Sequence, residues 1–131
     1  MKKLLILICL LITSLLLTSC GPVSSYKALL LSTNQSNNEL KVSFESLEGT
    51  YIKKINNTNN MDGMIYFEIT SYSGSFEVYY ETKTQAKQML TSVSGERSIK
   101  EKTGYVQARE DVTIYIITNG KAKGSVNIYL V

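Results

Sequence analysis

The stretch Ile65–Glu81, IYFEITSYSGSFEVYYE, decides the fold class. Ile65, Phe67 and Ile69 alternate with Tyr66, Glu68 and Thr70; after Tyr72-Ser73-Gly74, a second run sets Phe76, Val78 and Tyr80 against Glu77, Tyr79 and Glu81. Successive side chains of a strand point to opposite faces, so a period of two places the apolar set on one buried face. With a Ser-Gly turn between them, the two runs read as an antiparallel hairpin.

The same period extends outward in both directions. Leu40, Val42 and Phe44 alternate with Lys41, Ser43 and Glu45, a turn is expected at Glu48-Gly49, and Thr50 to Ile55 reads as a further strand. NNTNNMDG, Asn56 to Gly63, is rich in local hydrogen-bonding groups and reads as a loop. In DVTIYIITNGKAKGSVNIYLV, residues 111–131, Val112, Ile114 and Ile116 answer Val126, Ile128 and Leu130 across an Asn119-Gly120 turn, with Gly124 as a bulge or second turn.

Weaker patterns fill the gaps. Tyr26 to Leu31 fits a strand or one helical turn, with the strand preferred, and Ser32 to Asn38 is polar and turn-rich. QAKQMLTSV, residues 85–93, also carries a helical stripe, but its neighbours favour a strand that ends at Ser94-Gly95. Arg97 to Glu101 and Tyr105 to Arg109 are less regular runs. About eight short strands at near-regular spacing predict an all-β fold, an antiparallel, jelly-roll-like β-sandwich over residues 26–131.

Composition limits the chemistry. The 131 residues suffice for one domain and include no histidine, no tryptophan, two cysteines, nine tyrosines and three phenylalanines. The formal charge of +3 falls to near balance once Lys2 and Lys3 are set aside, leaving twelve basic against eleven acidic residues. That balance predicts no nucleic-acid partner, which calls for a concentrated basic face.

The N-terminus has a positive start at Lys2-Lys3, an apolar stretch from Leu4 to Leu17, and small residues Thr18 and Ser19, the layout of an export signal. As a helix the apolar part spans about 21 Å, short of the ~30 Å hydrocarbon core. Leu17-Thr18-Ser19-Cys20 resembles the lipobox of bacterial lipoproteins. The resemblance implies a signal peptide over residues 1–19, a diacylglyceryl group on Cys20, and Cys20 as the first residue of the mature chain, held at the extracytoplasmic face of the cell membrane. Gly21 to Ser25 then reads as a tether, giving a lipidated segment over residues 20–25. Cys9 lies within the expected leader, so no intrachain disulfide is expected.

Beyond the anchor, LEGTYIKKI, the run from Ile65 to Glu81 and the closing segment resemble small jelly-roll or β-sandwich domains of exported bacterial proteins, including modules appended to secreted hydrolases. The resemblance is one of pattern and implies a fold rather than an activity.

Without imidazole, Ser-His and Cys-His mechanisms lack their base, and zinc lacks its usual ligands. Asp62 is the only carboxylate of the Asn56–Gly63 loop, too few for a calcium site. No catalytic residue, metal or cofactor is expected. Lys121 and Lys123 between glycines read as a solvated turn or a contact for anionic surfaces. Glu68, Glu77 and Glu81 read as solvated acids or, across a hairpin, as a glycosidase pair. Tyr66 and Tyr79 interleaved with them form a candidate ligand face, since aromatic faces cover sugar rings and carboxylates accept hydroxyl hydrogen bonds. Cross-strand tyrosine packing explains the same residues without a ligand.

The expected function is a membrane-anchored, non-enzymatic binding or adaptor module whose partner is an envelope polysaccharide or protein. A structural or assembly subunit pairing through an exposed strand edge is the alternative. A carboxylate-dependent glycoside hydrolase is the third reading.

Overall fold

The computed structural model describes residues 22–131, so the expected leader and Cys20 lie outside the described residues. Seven strands follow in order: β1 (Ser25–Lys27), β2 (Leu30–Ser36), β3 (Glu39–Ile55), β4 (Gly63–Glu81), β5 (Gln88–Ser94), β6 (Arg97–Val106) and β7 (Val112–Leu130). All pair antiparallel in the order β1-β3-β7-β4-β5, with β2 added on β3 and β6 on β4.

Three strands are unusually long. β3 has 17 residues and β4 and β7 have 19 each, against about 5–6 for an ordinary strand. The first half of β3 pairs with the second half of β7, which pairs with the first half of β4; β2 and β6 flank this set. The remaining halves pair again, flanked by β1 and β5. One continuous sheet thus doubles back into an all-β sandwich: layer I contains β2 and β6, layer II contains β1 and β5, and the long strands run through both.

Slips in register mark the corners, between Phe44 and Thr50 in β3 and between Ser71 and Ser75 in β4. A one-residue slip exchanges the side chains facing the two sides of a sheet. In β3 the buried positions change from Leu40, Val42 and Phe44 to Leu47, Tyr51 and Ile55. In β4 they change from Ile65, Phe67 and Ile69 to Phe76, Val78 and Tyr80. β7 keeps one parity, from Val112, Ile114 and Ile116 through Ala122 to Val126, Ile128 and Leu130. Phe44 of layer I meets Phe76 of layer II edge-on, with ring centroids 5.2 Å apart. Burying each such side chain contributes about 1.5–3 kcal/mol, which makes this interleaved set the main source of stability.

The expected hairpin over Ile65–Glu81 is therefore one bent strand. Gly74, with φ of 76°, sits at its corner instead of in a hairpin turn, and both halves of β4 pair with β7 rather than with each other. Asn119-Gly120 and Glu48-Gly49 are likewise corners of β7 and β3. Glycine at positive φ suits a bulge as well as a tight turn, so local chemistry does not separate the two. Ser32–Ser36 belongs to β2 and pairs with Glu39–Ser43, so most of the polar Ser32–Asn38 segment is strand rather than turn.

The Asn56–Asp62 loop closes one end of the sandwich. Buried Asn57 donates its amide N–H to Asp111 at 3.1 Å and its side-chain nitrogen to the Gln107 carbonyl at 3.1 Å, while its oxygen accepts from the Asn59 N–H at 3.0 Å. Asp62 accepts from the Tyr105 hydroxyl at 2.7 Å and the Ala108 N–H at 2.8 Å. The loop's oxygen-rich composition is thus used to satisfy backbone and side-chain donors across the chain.

Candidate functional site

The residues singled out in the sequence separate into two groups. Tyr66 and Glu68 lie on the outer face of layer I, and Glu77, Tyr79 and Glu81 on the outer face of layer II, because β4 turns the corner between them. The two groups point away from each other, so a single Tyr/Glu face does not form. Glu68 has no partner acid across a hairpin. Glu77 and Glu81, four residues apart on one strand, are separated by about 13 Å, beyond the spacing of a glycosidase pair.

On layer I, the Tyr66 hydroxyl donates to Glu68 at 2.8 Å, the Tyr66 and Tyr129 rings lie 5.7 Å apart, and Lys100 stands 3.6 Å from Glu68. The hydrogen bond to Glu68 is the main reason that the Tyr66 phenol titrates above its ordinary value, with burial adding to it. Lys41 pairs with Glu39 at 2.8 Å beside the Tyr129 ring. In the register these charges occupy the rows on one side of a row of small residues, which forms the floor of a shallow channel.

The channel floor follows from register. Ser32 pairs with Ser43, Ser43 with Ser125, Ser125 with Thr70, and Thr70 with Ser98. One row of small hydroxyl residues therefore crosses all five strands of layer I on its outer face. Four strand spacings of about 4.8 Å make the row roughly 19 Å long. Short side chains keep the floor low between taller neighbours, and every position can donate and accept a hydrogen bond.

At the β2 end the floor deepens into a groove of about 470 Å³, lined by Leu30, Leu31, Ser43, Glu45, Tyr72, Lys123 and Ser125. The β4 corner carries Tyr72 out of the sheet, leaving it 58% exposed at the rim, and Leu30 is 64% exposed across from it. Lys123 pairs with Glu45 at 2.8 Å and places its ammonium 5.8 Å from the Tyr72 ring centroid. The Glu45 hydrogen bond and charge keep the Lys123 ammonium protonated above its ordinary range. A solvent-facing aromatic ring, a fixed ion pair and a run of hydroxyls thus share one open channel, suited to an extended, hydroxyl-rich ligand. Tyr72 and the serines carry no separate sequence signal: Tyr72 falls where the alternation predicts a hairpin turn, and the serines align only once five strands are in register.

On layer II, Tyr79 and Tyr115 pair across β4 and β7. The Tyr79 hydroxyl donates to Glu77, and the Tyr115 hydroxyl donates to Glu81 at 2.8 Å. The first bond, chiefly, holds the Tyr79 phenol above its usual value; for Tyr115 burial is the larger cause and the bond to Glu81 the second.

No family model matches the chain, and no curated protein matches it. Among solved structures, a family 29 carbohydrate-binding module complexed with mannohexaose is similar at 12% identity over 82% of this chain and 82% of that one, with a TM-score of 0.43. A CBM4 structure is similar at 7% identity over 83% and 77%, with a TM-score of 0.40. PirA is similar at 12% identity over 75% and 97%, with a TM-score of 0.42. At such scores these likenesses carry nothing about ligand or activity, and the class rests on the chain's own geometry: an all-β sandwich with an open channel on one face.

Proposed function

We propose that the protein is a glycan-binding module that lays an extended polysaccharide across the outer face of layer I. The observation that carries this reading is the hydroxyl row from Ser32 to Ser98, with exposed Tyr72 and the Glu45–Lys123 pair at one end. Tyr72 stacks on a sugar face, the paired charges and Glu68 meet sugar hydroxyls, and the serines follow the chain between them. Tyr72→Ala removes an exposed ring without opening the core. It is expected to weaken retention of the protein on bacterial envelope polysaccharide in affinity electrophoresis by about tenfold, roughly 1.4 kcal/mol. Unchanged retention, or capture of a protein partner through the β2 edge with no glycan retained, contradicts the reading.

The lipobox resemblance of Leu17 to Cys20 adds a location: a diacylglyceryl group on Cys20 holds the module at the extracytoplasmic face of the membrane. Two acyl chains give stable anchoring where one gives only marginal binding. Cys20→Ser is expected to move the protein from the membrane fraction to the soluble one and to abolish labelling by a fatty-acid precursor; retention in the membrane contradicts the anchor.

A further inference from the structure

The face opposite the channel carries an arrangement that glycan binding does not use. Tyr115 lies in β7 between inward-facing Ile114 and Ile116, so it points outward, yet it is only 7% exposed. Part of its cover is Lys87, the last residue before β5, whose ammonium stands 4.7 Å from the Tyr115 ring centroid and 5.0 Å from that of Tyr79. Among the described residues no carboxylate comes within ion-pair distance of Lys87. Two rings, rather than an acid, receive this charge.

The rings are fixed in place. Each hydroxyl is held by a carboxylate on its own side, Tyr79 by Glu77 and Tyr115 by Glu81. The aromatic faces stay directed at the ammonium, and both acids sit at the rim, adding negative potential at longer range. Two neighbouring electron-rich faces with nearby carboxylates favour a cation of low hydration. A primary ammonium is drawn back toward water by its strong hydration, whereas a trimethylammonium group is weakly hydrated and presents more apolar surface to the rings.

From this we infer that Tyr79 and Tyr115 form a binding site for a quaternary ammonium group, occupied in the free protein by Lys87 as a built-in substitute. Binding swings the flexible Lys87 side chain into solvent and seats the trimethylammonium over the same two rings. No bond is made or broken. The site is separate from the layer I channel, and its occupancy does not depend on glycan.

The test uses the full-length protein in a detergent without choline and follows tyrosine ring resonances by NMR while choline chloride is added, with sodium chloride at equal ionic strength as reference. Saturable shifts confined to Tyr79 and Tyr115 are expected. Lys87→Ala, an exposed change, should tighten binding at least threefold by removing the competitor. Tyr79→Phe keeps the ring and should retain binding, whereas Tyr79→Leu should lose it. The source of the ammonium is separated in a second arm, with the protein on phosphatidylcholine or phosphatidylglycerol vesicles and no free choline. Ring shifts on the first vesicles alone support the site and assign the headgroup of a lipid; shifts with free choline alone support it and assign a soluble or polymer-borne ligand. Absence of saturable shifts in both wild type and Lys87→Ala, or equal affinity of the two, overturns the inference. Glycan retention is measured on the same samples, so that failure here leaves the channel reading standing.

Discussion

Asn57 shows how the loop that looked richest in ligand oxygens is consumed by structure. Its side chain is buried and bonded at both ends, to the Gln107 carbonyl and the Asn59 N–H. Asn57→Ala removes both bonds from a buried position, leaving the Asn59 N–H without this acceptor while the Gln107 carbonyl keeps the Glu110 N–H, and should lower unfolding free energy in urea by about 1 kcal/mol. Asp62 makes the second tie, and its carboxyl is held below the usual range, first by the Tyr105 hydroxyl and then by the Ala108 N–H, against a smaller opposing effect of burial. A lowered acid contributes stability above its unfolded pKa and loses it as pH falls through the folded one. Amide exchange at Ala108 should therefore stay slow through the ordinary carboxylate range and quicken only below it. Asp62→Asn should remove that pH dependence, and protection lost already within the ordinary range contradicts the assignment.

At the level of elements, the corners of β3, β4 and β7 determine what the molecule presents. Alternation in Ile65–Glu81 and in residues 111–131 identified the buried side chains Ile65, Phe67, Phe76, Val78, Val112 and Ile128 and the all-β class. It could not distinguish a hairpin from a bent strand, because Gly74 and Gly120 provide positive φ for either. Long-range pairing with β7 settles that choice, and such pairing leaves no local trace in β4. The consequence is large for the site: Tyr66 and Glu68 separate from Glu77, Tyr79 and Glu81, while Tyr72 moves from a presumed turn to the rim of the channel. Gly74 tests the corner directly. A Cβ there would lie 2.2 Å from the Lys121 carbonyl oxygen at a φ of 76°, whereas one at Gly95, with a φ of 69°, meets nothing within 4 Å. Gly74→Ala should cost at least about 3 kcal/mol and Gly95→Ala only about 1 kcal/mol in equilibrium unfolding. Equal costs would contradict close packing of the two bent strands.

For the whole molecule, doubling one sheet into two layers yields two outer faces with different chemistry. Layer I offers hydroxyls, an exposed ring and ion pairs along a channel; layer II offers two fixed rings around an ammonium. Neither was legible as a set in the sequence, since the first gathers residues from β2, β3, β4, β6 and β7 and the second from β4, β7 and the loop before β5. The tyrosine content and the alternating acids indicated that outward faces carry polar aromatic chemistry, and the register decides which residues stand together. Ser125 occupies the centre of the layer I floor, between Ser43 and Thr70. The most direct measurement is the affinity of bacterial envelope polysaccharide for wild type, Ser125→Leu and Tyr79→Ala, with unfolding midpoints recorded for each. Wild type and Tyr79→Ala should bind alike, and Ser125→Leu should bind at least tenfold more weakly with an unchanged midpoint. Equal binding by Ser125→Leu and wild type, or no binding by wild type, would contradict a glycan channel on layer I.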